Sequence, residues 1–198
     1  MTVFYLIRHG ETDYLDRILV GRRPEVHLNA NGKAQAKRLA DRLARVSFDA
    51  IYSSPRERAR ETAIPLAARL GIEVGILENL NEIDFGEWTG RDFQDLAHDS
   101  RWQQFNLVRS CARIPGGELI VDVQQRAVCE LERLCVRHPH SNLVVVSHGD
   151  VLRGIIAYFA AVPIDLCLRI AVMPASISVI AINNHGPQVL RINDTGDL

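Results

Sequence analysis

The chain has 198 residues, 47% of them hydrophobic, and a formal net charge of −1. That length and apolar content can bury a full core in a single domain over residues 1–198 without staples, and the balanced charge excludes the basic excess of a nucleic-acid or membrane-surface protein. Four cysteines, Cys111, Cys129, Cys135 and Cys167, show neither C-x-x-C nor finger spacing, and the short apolar stretch before Arg8 is neither a signal peptide nor a membrane span, so a reduced, cytoplasmic protein is expected.

The first predicted element is a strand over 2–7, from Val3-Phe4-Tyr5-Leu6-Ile7, a run whose β-branched content suits burial on both faces. A polar loop through Gly21-Arg22-Arg23-Pro24 leads to a helix over 30–45, amphipathic through Ala36, Leu39, Ala40 and Leu43. A strand from Asp49 to Ser53 follows. In Ser54-Pro55-Arg56-Glu57, Ser54 reads as an N-cap, Pro55 as the first helical residue and Glu57 as the partner in a capping box. That helix is expected to reach Leu70, kinked at Pro65 and ended by Gly71. A strand over Glu73 to Leu77 precedes a turn-rich stretch, Asn79 to Gly90, and short helical segments to residue 109. This middle region reads as a small helical excursion over the mouth of a site. Pro115-Gly116-Gly117-Glu118 breaks the chain before a long helix to Arg137, a strand over 142–147 and a helix over 150–161. Ser176 to Ile182 and Gln188 to Ile192, around Asn183-Asn184-His185-Gly186, read as a β-hairpin. The order implies an α/β fold: a three-layer α/β/α sandwich with a mostly parallel central sheet and an antiparallel edge strand.

One phrase occurs twice. An apolar run passes into Arg8-His9-Gly10-Glu11-Thr12, and Leu143-Val144-Val145-Val146 passes into Ser147-His148-Gly149-Asp150. Both histidines therefore stand where a strand ends, and ligands of open α/β sheets bind outside those carboxyl ends. Arg8 adds a fixed positive charge, Gly10 allows close backbone approach to an anion, and neutral imidazole is a nucleophile able to take a phosphoryl group. The turn from Ser53 to Arg60 brings a helix N-terminus beside Arg56, Arg58 and Arg60, which suits an anion. For Arg56 and Arg60 a solvated face paired with Glu57 and Glu61 is the preferred expectation.

Together these residues resemble the histidine phosphatase superfamily, also called the phosphoglycerate mutase-like family. The resemblance rests on Arg8-His9-Gly10-Glu11-Thr12, on Ser53-Ser54-Pro55 followed by Arg58-Ala59 and Thr62-Ala63, on Leu80-x-Glu82 with Phe85-Gly86 and Trp88, and on Ser147-His148-Gly149. It implies that His9 becomes phosphohistidine, that Arg8, Arg58 and His148 surround the transferring group, and that Glu82 is general acid and then base. Arg8, Gly10, Thr12, Gly21, Arg22, Arg58, His148 and Gly149 are the expected substrate-binding residues. The family needs no metal or cofactor, and its implied substrate is a small phosphorylated metabolite. Two positions depart from the family: Leu15 stands where Asn is common, and Leu119 where Ser often follows Gly-Glu.

The leading expectation is a phosphomonoester hydrolase. A cofactor-dependent phosphoglycerate mutase would share the core, but such members tend to be longer in the middle region, and the modest segment from Glu82 to Gly116 favours hydrolysis. A metallohydrolase using His9-x-Glu11 and His148-x-Asp150 rests on a spacing common by chance. A non-catalytic phospholigand-binding protein would be expected to lose His9 or Glu82 first. Arg17, Arg22, Arg23, His27, Trp102, Arg109 and Arg113 stand as recognition elements or solvated loop residues, and a further acidic group on the substrate would account for the surplus arginines. Either a monomer or a homodimer is compatible with the sequence.

Overall fold

The computed structural model describes residues 1–196. Strand β1 (Thr2–Arg8) alternates as period two demands: Val3 and Ile7 enter one core, Phe4 and Leu6 the other. Helix α1 (Ala30–Leu43), strand β2 (Ala50–Ser53), helix α2 (Glu57–Leu70) and strand β3 (Val74–Ile76) complete the first half. After the excursion come α5 (Ile120–Arg137), β4 (Asn142–Ser147), α6 (Gly149–Phe159), β5 (Ile177–Asn183) and β6 (Gly186–Asp194), with the short helices α3 (Phe93–Ala97) and α4 (Ser100–Leu107) lying inside the excursion. The six strands are ordered β3-β2-β4-β1-β5-β6.

The first four strands in chain order pair in parallel, and β5 runs against β1. The expected antiparallel edge is thus a hairpin, with β6 outermost and paired against β5. Two hydrophobic cores cover the sheet. Leu39, Ala40 and Leu43 of α1 with Ala59, Ala63 and Leu66 of α2 pack on one face. On the other, α5 inserts Val123, Ala127, Leu131 and Leu134 at helical spacing, beside Leu152, Ile155 and Ile156 of α6. This is the three-layer sandwich. Among the described residues no helix is long and apolar enough to cross a membrane.

The excursion is a covered lobe. Trp88, fully buried, meets Trp102 edge to face at 5.3 Å and Phe105 at 5.6 Å between ring centroids. Its two ends are stitched together where Glu87 N–H donates to the Pro115 carbonyl (2.9 Å) and Glu118 N–H to the Asp84 carbonyl (3.0 Å). A Cβ on Gly86, whose φ is +48°, would lie 2.1 Å from the Pro115 oxygen, so only glycine permits that closure. The breaker at Pro115-Gly116-Gly117 is therefore the seam of the lobe.

The start of α2 differs from the expected capping box. The N-cap is Arg56, with no side-chain cap, and helical geometry begins at Glu57. The Ser54 hydroxyl lies 2.7 Å from His148 Nε2 and accepts from Arg56 N–H at the longer distance of 3.3 Å, so it serves the site as well as the turn into the helix. The helix is assigned unbroken through Pro65 and ends at Gly71 in left-handed conformation, as read. At α5, Leu119 is the N-cap and offers no acceptor.

Candidate active site

Register brings the two histidines together. β1 and β4 are adjacent and parallel with Arg8 opposite Ser147, so His9 and His148 leave neighbouring strand ends side by side. His9 N–H continues the ladder to the Ser147 carbonyl at 2.9 Å, and the ring centroids are 5.2 Å apart. Both rings are buried.

Their protons follow from their partners. His9 Nδ1 lies 2.7 Å from the Gly10 carbonyl, an acceptor only, so Nδ1 carries the hydrogen and Nε2 keeps its lone pair. Arg58 Nε–H points at that lone pair from 3.3 Å. Arg58 Nη2 donates to the Gly21 carbonyl (2.9 Å) and lies 3.2 Å from His148 Nδ1; since a guanidinium only donates, neutral His148 carries its hydrogen on Nε2 and gives it to Ser54 Oγ. Burial, then the Arg58 charge, holds both imidazoles well below their ordinary pKa. His9 is therefore neutral, with a directed lone pair.

Two guanidinium nitrogens beside it have no partner. Arg8 Nε and Arg58 Nη1 are buried donors without a hydrogen bond among the described residues, although Arg8 Nη1 is anchored on the Val172 carbonyl at 2.8 Å. Unpaired buried donors are costly, and an oxyanion would satisfy both. Arg58 itself is held from below: Thr62 Oγ1 donates to the Arg58 carbonyl (2.7 Å) and accepts from Gly10 N–H (2.9 Å). That one hydroxyl ties α2 to the loop that follows His9.

Glu82 sits across from them, Oε2 3.7 Å from His148 Nδ1 and Oε1 accepting from Ile83 N–H at 2.9 Å. Burial raises its pKa to about 7, against the opposing pull of Arg58. Its backbone is clamped. Arg22 Nε (2.7 Å) and Arg126 Nη2 (3.1 Å) both donate to the Glu82 carbonyl. Glu118 joins the two arginines, accepting from Arg22 Nη2 at 2.8 Å and from Arg126 Nε at 3.2 Å, and also accepts from Asp84 N–H at 2.9 Å.

Arg8, His9, Thr12, Gly21, Arg58, Glu82 and Gly149 line one cleft of about 290 Å³. His148 stands behind it through Arg58. Arg22 is different from expectation: it lies outside the lining, its donors turned to Glu82 and Glu118. Gly10 is outside it too, and its missing side chain serves packing, because a Cβ there would lie 2.8 Å from the Gly32 oxygen of α1. Trp102 and Arg109 line the cleft, and so does Leu15; Arg17, Arg23, His27 and Arg113 do not. His27 instead faces Glu61, and Arg23 lies over the Tyr14 ring.

Nor do Arg56 and Glu61 form the expected solvated pairing: Arg56 Nη1 donates to the Arg22 carbonyl at 2.8 Å, and Glu61 accepts from Leu28 N–H at 2.8 Å. Glu11 turns away from the cleft to Asn29 (3.0 Å) and Asn31 (2.7 Å). Sequence reasoning missed the roles of Ser54, Thr62, Glu118 and Arg126. Only Arg126 lay outside the motifs that were noticed.

Residues 4–195 match the family model of the histidine phosphatase superfamily (branch 1). Among curated proteins, the chain is 30% identical to phosphoserine phosphatase 1 of Hydrogenobacter thermophilus, over 98% of this chain and 93% of that one. It is 33% identical to the adenosylcobalamin/alpha-ribazole phosphatase of Escherichia coli, over 90% and 89% of the two. A mutant phosphoserine phosphatase from Entamoeba histolytica, solved in complex with phosphoserine, superposes with a TM-score of 0.89 at 29% identity, covering 98% of each chain.

Proposed function

This chain belongs to the histidine phosphatase superfamily, and from that premise we propose that it hydrolyses a small phosphorylated metabolite through a phosphohistidine on His9, without a metal. The observation that carries the reading is the pair of unpartnered buried donors, Arg8 Nε and Arg58 Nη1, beside a His9 whose Nδ1 hydrogen is fixed and whose Nε2 lone pair faces the guanidinium groups, held by one long contact from Arg58 Nε–H at 3.3 Å.

The phosphoryl group of the substrate enters between those guanidinium groups, its equatorial oxygens taking the free donors. His9 Nε2 attacks phosphorus in line, forming the N–P bond as the P–O bond to the alcohol breaks. Glu82, in its carboxylic acid form, gives its proton to the departing oxygen. The resulting carboxylate then takes a proton from water, whose oxygen attacks phosphorus. The N–P bond breaks, inorganic phosphate leaves, and neutral His9 and protonated Glu82 are restored. A carboxyl whose pKa is about 7 serves both steps, since each form is well populated near neutrality. Charge spread over the equatorial oxygens is met by fixed, water-poor donors, the arrangement most effective for phosphoryl transfer.

Release of inorganic phosphate from a panel of phosphomonoesters, in excess chelator, tests the reading. The wild-type protein is expected to turn over and to acquire an acid-labile phosphoryl adduct on rapid quenching, and the His9→Ala protein to do neither. Turnover by a folded His9→Ala protein, or loss of turnover with chelator, overturns it.

A further inference from the structure

Beside the phosphoryl pocket the same cleft holds a second set of charges, Asp150, Arg153 and Arg109. Asp150 lies in the first turn of α6, just after His148 and Gly149. Arg109 Nη1 (3.2 Å) and Arg153 Nη1 (3.0 Å) both donate to its Oδ1. Its Oδ2 accepts nothing among the described residues. A carboxylate with a purely structural task between two arginines would engage both oxygens; this one leaves an ionised oxygen open.

The arginines are arranged in a complementary way. Arg109 is 2% exposed, its Nη2 donates to Asn106 Oδ1 at 3.0 Å, and its Nε is buried without a partner. Arg153 anchors Nε on the Ile170 carbonyl at 3.1 Å and keeps Nη2 unbonded among the described residues. It also lies close to the phosphoryl pocket: a Cβ on Gly149 would lie 3.5 Å from Arg153 Nη1 and 3.4 Å from the unpartnered Arg8 Nε. An open acceptor and an open donor thus stand next to the place where the phosphoryl group is held.

We propose, resting on the hydrolase reading above, that Asp150 and Arg153 form the subsite for the alcohol moiety, selecting phosphomonoesters whose alcohol carries an ammonium group beside a carboxylate. The ammonium takes Asp150 Oδ2, and the carboxylate takes Arg153 Nη2. Arg109 holds Asp150 in place and is a positioning residue. The choice of a paired charge follows from the neighbours. A carboxylate alone would meet Arg153 but face the open oxygen of Asp150. An ammonium alone would meet Asp150 but face Arg8 and Arg153. Only a group carrying both satisfies the two faces, and it does so without adding net charge to a partly buried site.

The test compares kcat/KM for four esters differing only in the alcohol: O-phosphoserine, O-phosphoethanolamine, 3-phosphooxypropanoate and propyl phosphate. Each charge-assisted contact is worth about tenfold to a hundredfold, so phosphoserine is expected to exceed propyl phosphate by about a hundredfold or more. Asp150→Asn is expected to reduce the preference for phosphoserine over 3-phosphooxypropanoate by about tenfold or more while the carboxylate preference persists. Arg153→Gln is expected to do the reverse. These ratios cancel any common loss of catalytic rate. Binding of the four esters to the His9→Ala protein, followed by tryptophan fluorescence because Trp102 lines the cleft, is expected to give the same ranking without turnover. Equal kcat/KM for all four, or ratios unchanged in Asp150→Asn, overturns the subsite and leaves the hydrolase standing. Absence of both turnover and phosphoryl-enzyme with every ester overturns the hydrolase and the subsite with it.

Discussion

Replacing Glu82 by Gln is expected to make the protein more stable and less active, with the gain in stability growing as pH rises. The folded-state pKa of Glu82, about 7, lies above its ordinary value of 4.5, so the folded protein holds this proton more tightly than the unfolded chain does. Stability from this group is then fullest below pH 4.5 and declines as pH climbs through about 7. At about 1.36 kcal/mol for each tenfold difference in proton affinity, the full effect is about 3 kcal/mol at pH 8 and about 1 kcal/mol at pH 5. Gln removes the titration while keeping an oxygen for the Ile83 N–H. For a chain of this size, about 3 kcal/mol corresponds to a rise in Tm of about 6–12 °C, falling to about 2–4 °C at the lower pH. Calorimetry of both proteins at the two pH values reads the difference directly. The neutral buried histidines weaken both proteins equally in acid and drop out of the comparison. A Tm difference that is the same at both pH values refutes the argument, because it means that Glu82 ionises in the fold as easily as in water.

Three further substitutions probe the parts that hold the site. Thr62→Val keeps the shape and deletes the hydroxyl joining Gly10 N–H to the Arg58 carbonyl; urea unfolding is expected to show a loss of about 2 kcal/mol, with kcat reduced as well, and unchanged stability counts against the tie. Glu118→Gln uncouples Arg22 from Arg126 beneath the Glu82 carbonyl. It is expected to cost about 1–3 kcal/mol and to lower kcat more than it raises KM, whereas a pure rise in KM would assign Glu118 to substrate contact. Leu119→Ser supplies the missing acceptor at the start of α5, where the backbone is already extended as a cap requires, and is expected to add about 1 kcal/mol by the same unfolding measurement.

How much of this was open to a reader of the sequence depends on how far each feature reaches along the chain. Strand ends and their histidines are local: apolar runs announce β1 and β4, and His-Gly follows each. Their juxtaposition needed only the rule that parallel strands present their carboxyl ends together. The proposed acid was harder, because Glu82 resembles Asp84 and Glu87 in sequence context, and only the family resemblance singled it out. What lifts its pKa is burial beneath the excursion, a property of the folded lobe. Ser54 was only half read because an N-cap and a histidine partner look identical in a sequence; its hydroxyl makes the shorter contact to His148 and a longer one to Arg56 N–H. Arg22 was misread for a related reason. A guanidinium in a polar loop near a phosphate site reads as a ligand, yet its partners, Glu82 and Glu118, are brought to it by the seam at Pro115-Gly116-Gly117, which pairs residues far apart in the chain.

The same electrostatics constrain the pH dependence of the reaction. Burial and Arg58 keep His9, the proposed nucleophile, neutral across the working range. Within the cleft, Glu82 is then a group that changes state near neutrality. The step measured by kcat/KM needs it protonated, so kcat/KM is expected to fall about tenfold per pH unit above about 7. Hydrolysis of the phosphoryl-enzyme needs it ionised, so that rate, followed in single-turnover decay of the adduct, is expected to rise with pH, with a midpoint moved upward by the charge of the attached phosphoryl group. Opposite slopes are the signature of one carboxyl changing roles. The substrate's own ionisation complicates only the first slope, and it cancels when wild type is divided by Glu82→Gln on the same ester. With p-nitrophenyl phosphate, whose leaving group departs without a proton, formation of the adduct in Glu82→Gln is expected to be largely preserved while its hydrolysis is slowed. An equal loss in formation for p-nitrophenyl and alkyl esters would remove Glu82 from the proton transfer and leave its raised pKa as a consequence of burial alone.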